Sequence, residues 1–454
     1  MAPSSSLLMS VARALIGRGL GAAAQLVVTF ALGHLFGADG TGTFMLALTF
    51  FLVCSLLGRR GLDFALLRIA SEAWGAGEND RFWSNVWAAI KESLIYSVAI
   101  STCLLLTTGW LAESVFHDQA LRQVLPWIAL AIPGYAVLAL CSECHKAIDR
   151  PGSGNFYHTA AVPIMFVVVL GIQYAFELES LQGAAIAYMV ATYLAAAVVA
   201  VSLWKHAAPP NGTQRFQSQT NELPAMRKAS IPLMAYSLFS MAGSWLPLIC
   251  LGIFATSDQV GQFGAANRLS IAIMFILLAF NSVIPARFAR FYAKKDLAAI
   301  DRLARSSSAV MTAVALPLTL FYILKGAWIL SWMGPDFQPA VYAIGILAVG
   351  QLINVATGSV GYLLMMTGHE RELRRAATLG FAVNCLGCLT MIPFWGIEGA
   401  AIAGALAIIF ENVSATVLAY RKLGILSLPW PRFQTSPLDF PRSDIQPLER
   451  ETNV

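Results

Sequence analysis

The chain has 454 residues, a mean hydropathy of +0.66, a net charge of +5 at pH 7 and only 12% charged residues. A soluble domain carries roughly 25% charged residues, so a soluble fold of this length would lack polar surface, and repeated long apolar runs point to many membrane spans. Those runs are continuous rather than alternating, which excludes a β-barrel and leaves helices, the form that satisfies its own backbone in hydrocarbon.

Twelve spans are predicted. In the first half they lie at roughly 13–36, 41–57, 86–112, 124–144, 157–176 and 183–204, each near the length a bilayer needs. In the second half they lie at roughly 231–254, 263–284, 306–324, 340–366, 376–396 and 398–420, by the same criterion. The stretch from Lys205 to Ser230, KHAAPPNGTQRFQSQTNELPAMRKAS, separates the halves. Its Pro209-Pro210, Asn211-Gly212 and scattered polar residues read as a solvated linker. The reading therefore divides the chain into a bundle at 1–204, a linker at 205–230, a bundle at 231–422 and a tail at 423–454. That tail holds Pro429, Pro431, Pro437, Pro441 and Pro447 with mixed charge, a composition that reads as disordered.

Basic residues set the orientation. With the N-terminus in the cytosol, Lys and Arg crowd the inner loops, and only Arg122, Arg268 and Lys325 of the 30 fall toward the outside. Both termini are then cytoplasmic. Tryptophans at both ends of the spans fit interfacial belts: Trp74, Trp83, Trp87, Trp204 and Trp430 inside, and Trp110, Trp127, Trp328, Trp332 and Trp395 outside. The opening lacks a basic region ahead of its apolar run, so a first span after a short lead is preferred to a signal peptide.

A repeat is visible. Gly42-Thr43-Phe44 and Gly261-Gln262-Phe263 open the second and eighth spans, and the same offset places Arg68 on Arg287. Six spans per half in one orientation imply parallel repeats about an axis along the membrane normal. This is a transporter architecture with its site between the halves. The fold expected is an all-α membrane protein, twelve helices in two six-helix bundles around a central cavity.

A charge inside a span costs roughly 2.5–3.5 kcal/mol on insertion scales, so each one is a candidate. Arg18 and Gln25, seven apart in ALIGRGLGAAAQ, share a face of the first span. The glycines around Arg18 would admit a neighbour or a ligand, and snorkelling to the headgroups is the competing reading. Arg268, in VGQFGAANRLSIA, is expected a turn or so below the outer surface, lining the cavity; its other reading is an anchor or a partner of Asp258. Glu411 is near the middle of the last span, as a coupling group or a structural hydrogen bond. Gln351 and Asn354, with Asn384 and Asn281, read foremost as interhelical hydrogen bonds.

Other motifs fail. Cys141-x-x-Cys144 and Cys385-x-x-Cys388 have zinc-like spacing without further ligands, so no metal is expected. There is no P-loop and no HExxH. Basic loops read as topology signals, not nucleic-acid sites.

The opening RALIGRGLGAAAQLVVTFALGHLFGADGTGTFMLALTFFLVCSLLGRRGLDFALLR resembles the start of polysaccharide-export flippases. These are the O-antigen and capsule translocases of the multidrug/oligosaccharidyl-lipid/polysaccharide exporter superfamily. VGQFGAANRLS, IPARFARFYAKKD, ILSWMGPDFQPA and GQLINVATGSVGYLLMMTGHERELR continue the resemblance in order, over about residues 7–422. It implies a V-shaped pair of bundles in a bacterial inner membrane and movement of an undecaprenyl-diphosphate-linked oligosaccharide between leaflets. No cofactor is implied. Membrane lipids, a polysaccharide polymerase and a chain-length regulator would be its partners. Cavity cations would meet the diphosphate, and Arg18 and Arg268 are the positions here that could serve. The sequence departs from the pattern in having few acidic residues in the first span and no evident sodium site. The other readings are a drug or metabolite antiporter of the same fold and a polytopic sugar polymerase or acyltransferase.

Overall fold

The structure, a computed structural model, describes residues 5–207, 222–281 and 283–429. Side chains are described from residue 19 onward, apart from several positions within 225–244 and at 286 and 370. Among these residues every regular element is a helix.

The first half runs through α1 (Ser5–Arg59), α2 (Leu62–Gly75), α3 (Asn79–Trp110), α4 (Gln119–Ala147), α5 (Pro151–Thr159), α6 (Ala161–Ala175) and α7 (Leu181–Ala207). The second runs through α8 (Leu223–Phe254), α9 (Ser257–Asn281), α10 (Ile284–Ala293), α11 (Leu297–Ser331), α12 (Val341–Ala356), α13 (Val360–Met366) and α14 (Glu370–Leu423). Two helices hold two spans each. α1 breaks at Gly37 (φ 64°) and α14 at Gly396 (φ 49°), left-handed positions that a side chain would strain. α5 and α6 meet at a 44° bend and make one broken span. With α1 and α14 each counted as two spans and α5 with α6 as one, the described residues give six spans on each side of the linker, as the sequence predicts. The short helices α2 and α10 follow the second and eighth spans and carry Arg68 and Arg287.

The edges of the linker differ from the sequence reading. Lys205–Ala207 complete α7, and Leu223–Ser230 already belong to α8, so the non-helical part is confined to 208–222; residues 208–221 lie outside those described. The start of α8 is tied to the first half. Glu222 accepts from Asn85 Nδ2 at 2.7 Å and from Arg81 Nε at 3.0 Å, and Arg227 Nε donates to Glu92 at 2.8 Å. The tail also begins later than 423. Gly424 turns the chain in the left-handed region, Ile425 is buried, and Ser427 Oγ donates to the Thr357 carbonyl at 2.8 Å. A long-range hydrogen bond and the buried side chains of Ile425 and Ser427 outweigh the composition there; residues 430–454 are outside the described part.

The apolar core shows how the halves meet. One cluster runs across both, from Phe44, Leu125 and Phe166 to Phe263, Met333 and Phe337. Two separate clusters lie elsewhere, one around Leu66, Phe82 and Cys144 and one around Phe288, Leu363 and Ala419. The shared cluster contains the residues near Gly37, and the two separate ones lie at the face where α7 ends and α8 begins. The apolar packing common to both halves is therefore at the far face. At the linker face the two separate clusters leave a crevice between the bundles that α8 bridges, where a Cβ on Gly61 would strike the Ser230 carbonyl and lie 2.9 Å from the Met234 nitrogen.

Trp83 is not a belt residue. It is buried, and its Nε1 donates to the Ala207 carbonyl at 2.8 Å, tying α3 to the end of α7. Trp328 and Trp332 do lie exposed at the far face, with ring centroids 4.5 Å apart.

Candidate functional site

The far-face junction is built from the repeat itself. A Cβ on Gly42 would lie 2.7 Å from the Gly261 nitrogen, and one on Gly261 would lie 2.8 Å from the Gly42 nitrogen. The first would also strike the Ser257 carbonyl oxygen and the second that of Ala38. Ala38 and Ser257 are themselves related by the Gly42-to-Gly261 offset of 219 residues, so each half presents the same contact to the other. Met45 sulfur fills the place a Cβ on Gly264 would take, again one repeat apart. The second limb of α1 and α9 thus cross on the pseudo-twofold axis, with backbones as close as glycine permits.

Asp118 fastens this junction. Its Oδ2 accepts from Thr43 of α1 at 2.6 Å and from Ser257 of α9 at 2.9 Å. Its Oδ1 caps α4, accepting from Ala120 and Leu121 nitrogens at 2.8 and 3.2 Å. One carboxylate thereby joins three helices and both halves. Sequence reading missed it; the signal was an acid at a helix N-cap. Asp118→Ala should cost about 1–2 kcal/mol from the cap alone. Thermal unfolding of the purified protein should therefore show a lower midpoint, with Asp118→Asn shifting it less because an acceptor is kept.

Below the glycine crossing lies Arg268. α9 begins at Ser257, not 263, because Ser257 and Asp258 form its first turn. Arg268 is therefore three turns into the helix, about 16 Å along it, rather than one turn below a surface. Its Nη1 donates to the side-chain oxygen of Gln25 on the first limb of α1, across the two halves; the partner is Gln25, not Asp258. Gln25 is twelve residues before the Gly37 break, about 18 Å by the same rise, so the two depths agree. Arg268 is partly exposed, and Tyr188 of α7 is close enough to interact with it electrostatically. Its repeat equivalent, Thr49, only bonds the Met45 carbonyl of its own helix at 2.8 Å. The cation thus breaks the symmetry of the repeats at the apex of the crevice.

The structure does not gather the other candidates here. Arg18 is in α1 but lies outside the described side chains. Glu411 packs inside the C-terminal bundle against Gly380, where a Cβ would be 2.8 Å from its own Cβ. Asn354 Nδ2 donates to Gln351 Oε1 at 3.1 Å, so this pair bonds within α12 rather than between helices: three residues apart on a helix, the two amides reach one another first. Asn281 does bridge helices, accepting from Ser359 Oγ at 2.5 Å. Cys141, Cys144, Cys385 and Cys388 are free thiols.

What this arrangement can do is hold an anion. A guanidinium between the two bundles presents a planar fork of donors of the kind that suits phosphate, and its present partner is a neutral amide.

Comparison with known proteins agrees with this architecture. The fold matches the lipid II flippase MurJ in an inward closed conformation with a TM-score of 0.72, at 12% identity, over 91% of this chain and 87% of that one. It matches an inward-facing MATE-family multidrug resistance transporter of the MOP superfamily with a TM-score of 0.72, at 11% identity, over 88% and 98%. The outward-facing form of such a transporter gives 0.63, at 13% identity, over 91% and 95%. In sequence, the chain is 25% identical over 183 residues to the "Probable low-salt glycan biosynthesis flippase Agl15" of Haloferax volcanii, covering 39% of each chain. It is 25% identical over 202 residues to the "Probable flippase AglR" of the same organism, covering 42% of each. The matches thus span about two-fifths of these relatives. The family described as "Polysaccharide biosynthesis protein" matches residues 7–292. This multi-pass membrane protein therefore belongs to the polysaccharide biosynthesis protein family.

Proposed function

We propose that the chain is a flippase. It moves an undecaprenyl-diphosphate-linked oligosaccharide from the cytosolic to the outer leaflet of a bacterial inner membrane, for assembly of a surface polysaccharide. The observation that carries this reading is Arg268 bonded to Gln25 at the apex of the crevice, beneath the glycine crossing of the two halves. The family and the flippase names of the relatives support it.

The physics of the cargo fits. A sugar headgroup and diphosphate cannot cross hydrocarbon unaided, because every polar group would be stripped of water. A wet crevice with a cation at its end replaces that hydration, while the polyprenyl tail stays in lipid. The positive-inside bias puts the linker face, and both termini, in the cytosol. The crevice would then load from the side where the repeat unit is made. Rocking of the halves would expose the cargo outside, where a polymerase and a chain-length regulator take it up. No covalent step is required.

Deletion of the gene in a strain with no redundant flippase tests the reading. Lipid-linked repeat units should accumulate facing the cytosol while surface polymer is lost. Repeat units reaching the outer leaflet at the normal rate would defeat it, and a changed drug tolerance alone would favour an antiporter of the same fold.

A further inference from the structure

The N-terminal half carries a buried ionic network that the crevice does not use. Arg59, at the end of α1, has its Nε 3.5 Å from Asp63 of α2, and its guanidinium lies over the Tyr135 ring of α4, 5.2 Å from the centroid. Glu143 of α4 holds Lys146 at 2.5 Å and lies 3.7 Å from Nδ1 of His158 on α5. The same imidazole meets Tyr135 edge to face, and Glu143 is near enough to Arg59 and Asp63 to feel both charges. The side chains of Arg59, Asp63 and Glu143 are only 8%, 7% and 9% exposed. Nε and Nη1 of Arg59 are buried without a hydrogen-bond partner.

Burying ions costs several kcal/mol each, and apolar side chains of similar size often serve stability better. At the place that matches Arg59 the other half uses that cheaper solution, although it buries the Asp301 carboxylate against Arg305 elsewhere. At the repeat offset Arg59 becomes Leu278, and the polar contact at the end of that span is the uncharged Ser359–Asn281 bond. In the first half two cations and two carboxylates balance, and the fifth member is an imidazole, the side chain that changes charge nearest neutrality.

The network also touches the crevice. His158 is the penultimate residue of α5, at the bend into α6. Thr159, next in the chain, packs on Gly21 of α1, where a Cβ would sit 2.8 Å from its hydroxyl oxygen. Gly21 is one helical turn from Gln25, the acceptor of Arg268.

We infer that the His158–Glu143 pair is a proton-binding site of the N-terminal bundle, coupled through α5 and Gly21 to the Arg268–Gln25 link, so that proton binding drives passage of the cargo. This inference rests on the transport reading above. A proton on His158 Nδ1 draws Glu143 away from Lys146, shifts α5 at its bend and moves α1 with it.

The test uses the purified full chain in proteoliposomes with a fluorescent prenyl-diphosphate-linked N-acetylglucosamine as probe. Flipping is read by quenching of the outer leaflet, with and without an imposed pH gradient. One pH unit is worth about tenfold per coupled proton, and the wild type should respond by about three- to tenfold. His158→Gln and Glu143→Gln should flip at zero gradient and lose the response. Lys146→Met, which removes a competing cation while leaving both proton acceptors, should keep the response with its midpoint moved to higher pH. Wild-type flipping that ignores the gradient, or a normal response in His158→Gln and Glu143→Gln, overturns the proton site alone. A Lys146→Met midpoint that stays put or moves to lower pH overturns it too. Monodisperse variants that do not flip at zero gradient overturn the coupling and give the pair a structural role. A wild type that never flips the probe overturns the transport reading beneath it.

Discussion

Arg268→Ala should lower flipping of the lipid-linked probe by roughly ten- to a hundredfold, the 1.5–3 kcal/mol scale of a hydrogen bond to a charged group. The reasoning starts from depth. A guanidinium three turns into a span costs the protein energy on insertion, and here it is spent on a bond to a neutral amide of the other half. Alanine removes that cost together with a bond of similar size, and the two offset, so the amount of protein in the membrane should be unchanged. Arg268→Lys keeps the charge but loses the planar fork, and should recover only part of the rate. Gln25→Ala, which removes only the resting partner, should change the rate less than Arg268→Ala does. Rate and abundance measured in the same vesicles separate the cases. Wild-type flipping by Arg268→Ala would strip the residue of its role.

Most of the architecture was legible in the sequence because bilayer physics leaves so little choice. An apolar run of the right length must be a helix, and basic loops set its direction. The glycine motif gave the repeat and, with it, the pair of residues that meet on the axis. Depth was less legible. The first turn of α9 is polar, so Arg268 appeared near a surface when it lies three turns in. Partners across the fold were not legible at all. Gln25 and Arg268 are 243 residues apart, and nothing in either local pattern pairs them. Gln351 and Asn354 looked like interhelical groups because the sequence cannot say which acceptor an amide reaches first. The Arg59–Asp63–Glu143–His158 network was overlooked for a related reason. Its members lie near span ends, where charge is ordinary, and only packing reveals that three of them are buried.

Gly42→Leu should abolish flipping while leaving both bundles folded. At this position even a Cβ would strike the Ser257 carbonyl and lie 2.7 Å from the Gly261 nitrogen, both of them backbone atoms of the other half. Backbone held in a helix cannot step aside as a side chain can, so the seam itself must open. The three nearest atoms to that Cβ all belong to the opposite half, so the clash falls on the seam. The protein should therefore be made in normal amount and hold its far face splayed. Met45, buried in the same seam, reports on this. A Met45→Cys probe should react with a membrane-impermeant maleimide from outside at least tenfold faster when Gly42→Leu is present, the equivalent of about 1.4 kcal/mol in the opening equilibrium. The symmetry supplies an internal control: Gly261→Leu meets the Ala38 carbonyl in the same way and should give the same two results. An alternating transporter must close this seam to load and open it to release, so a protein wedged open can do only half the cycle. Normal flipping by both leucine variants, with Met45→Cys still shielded, would mean that the glycine crossing is packing and not a gate.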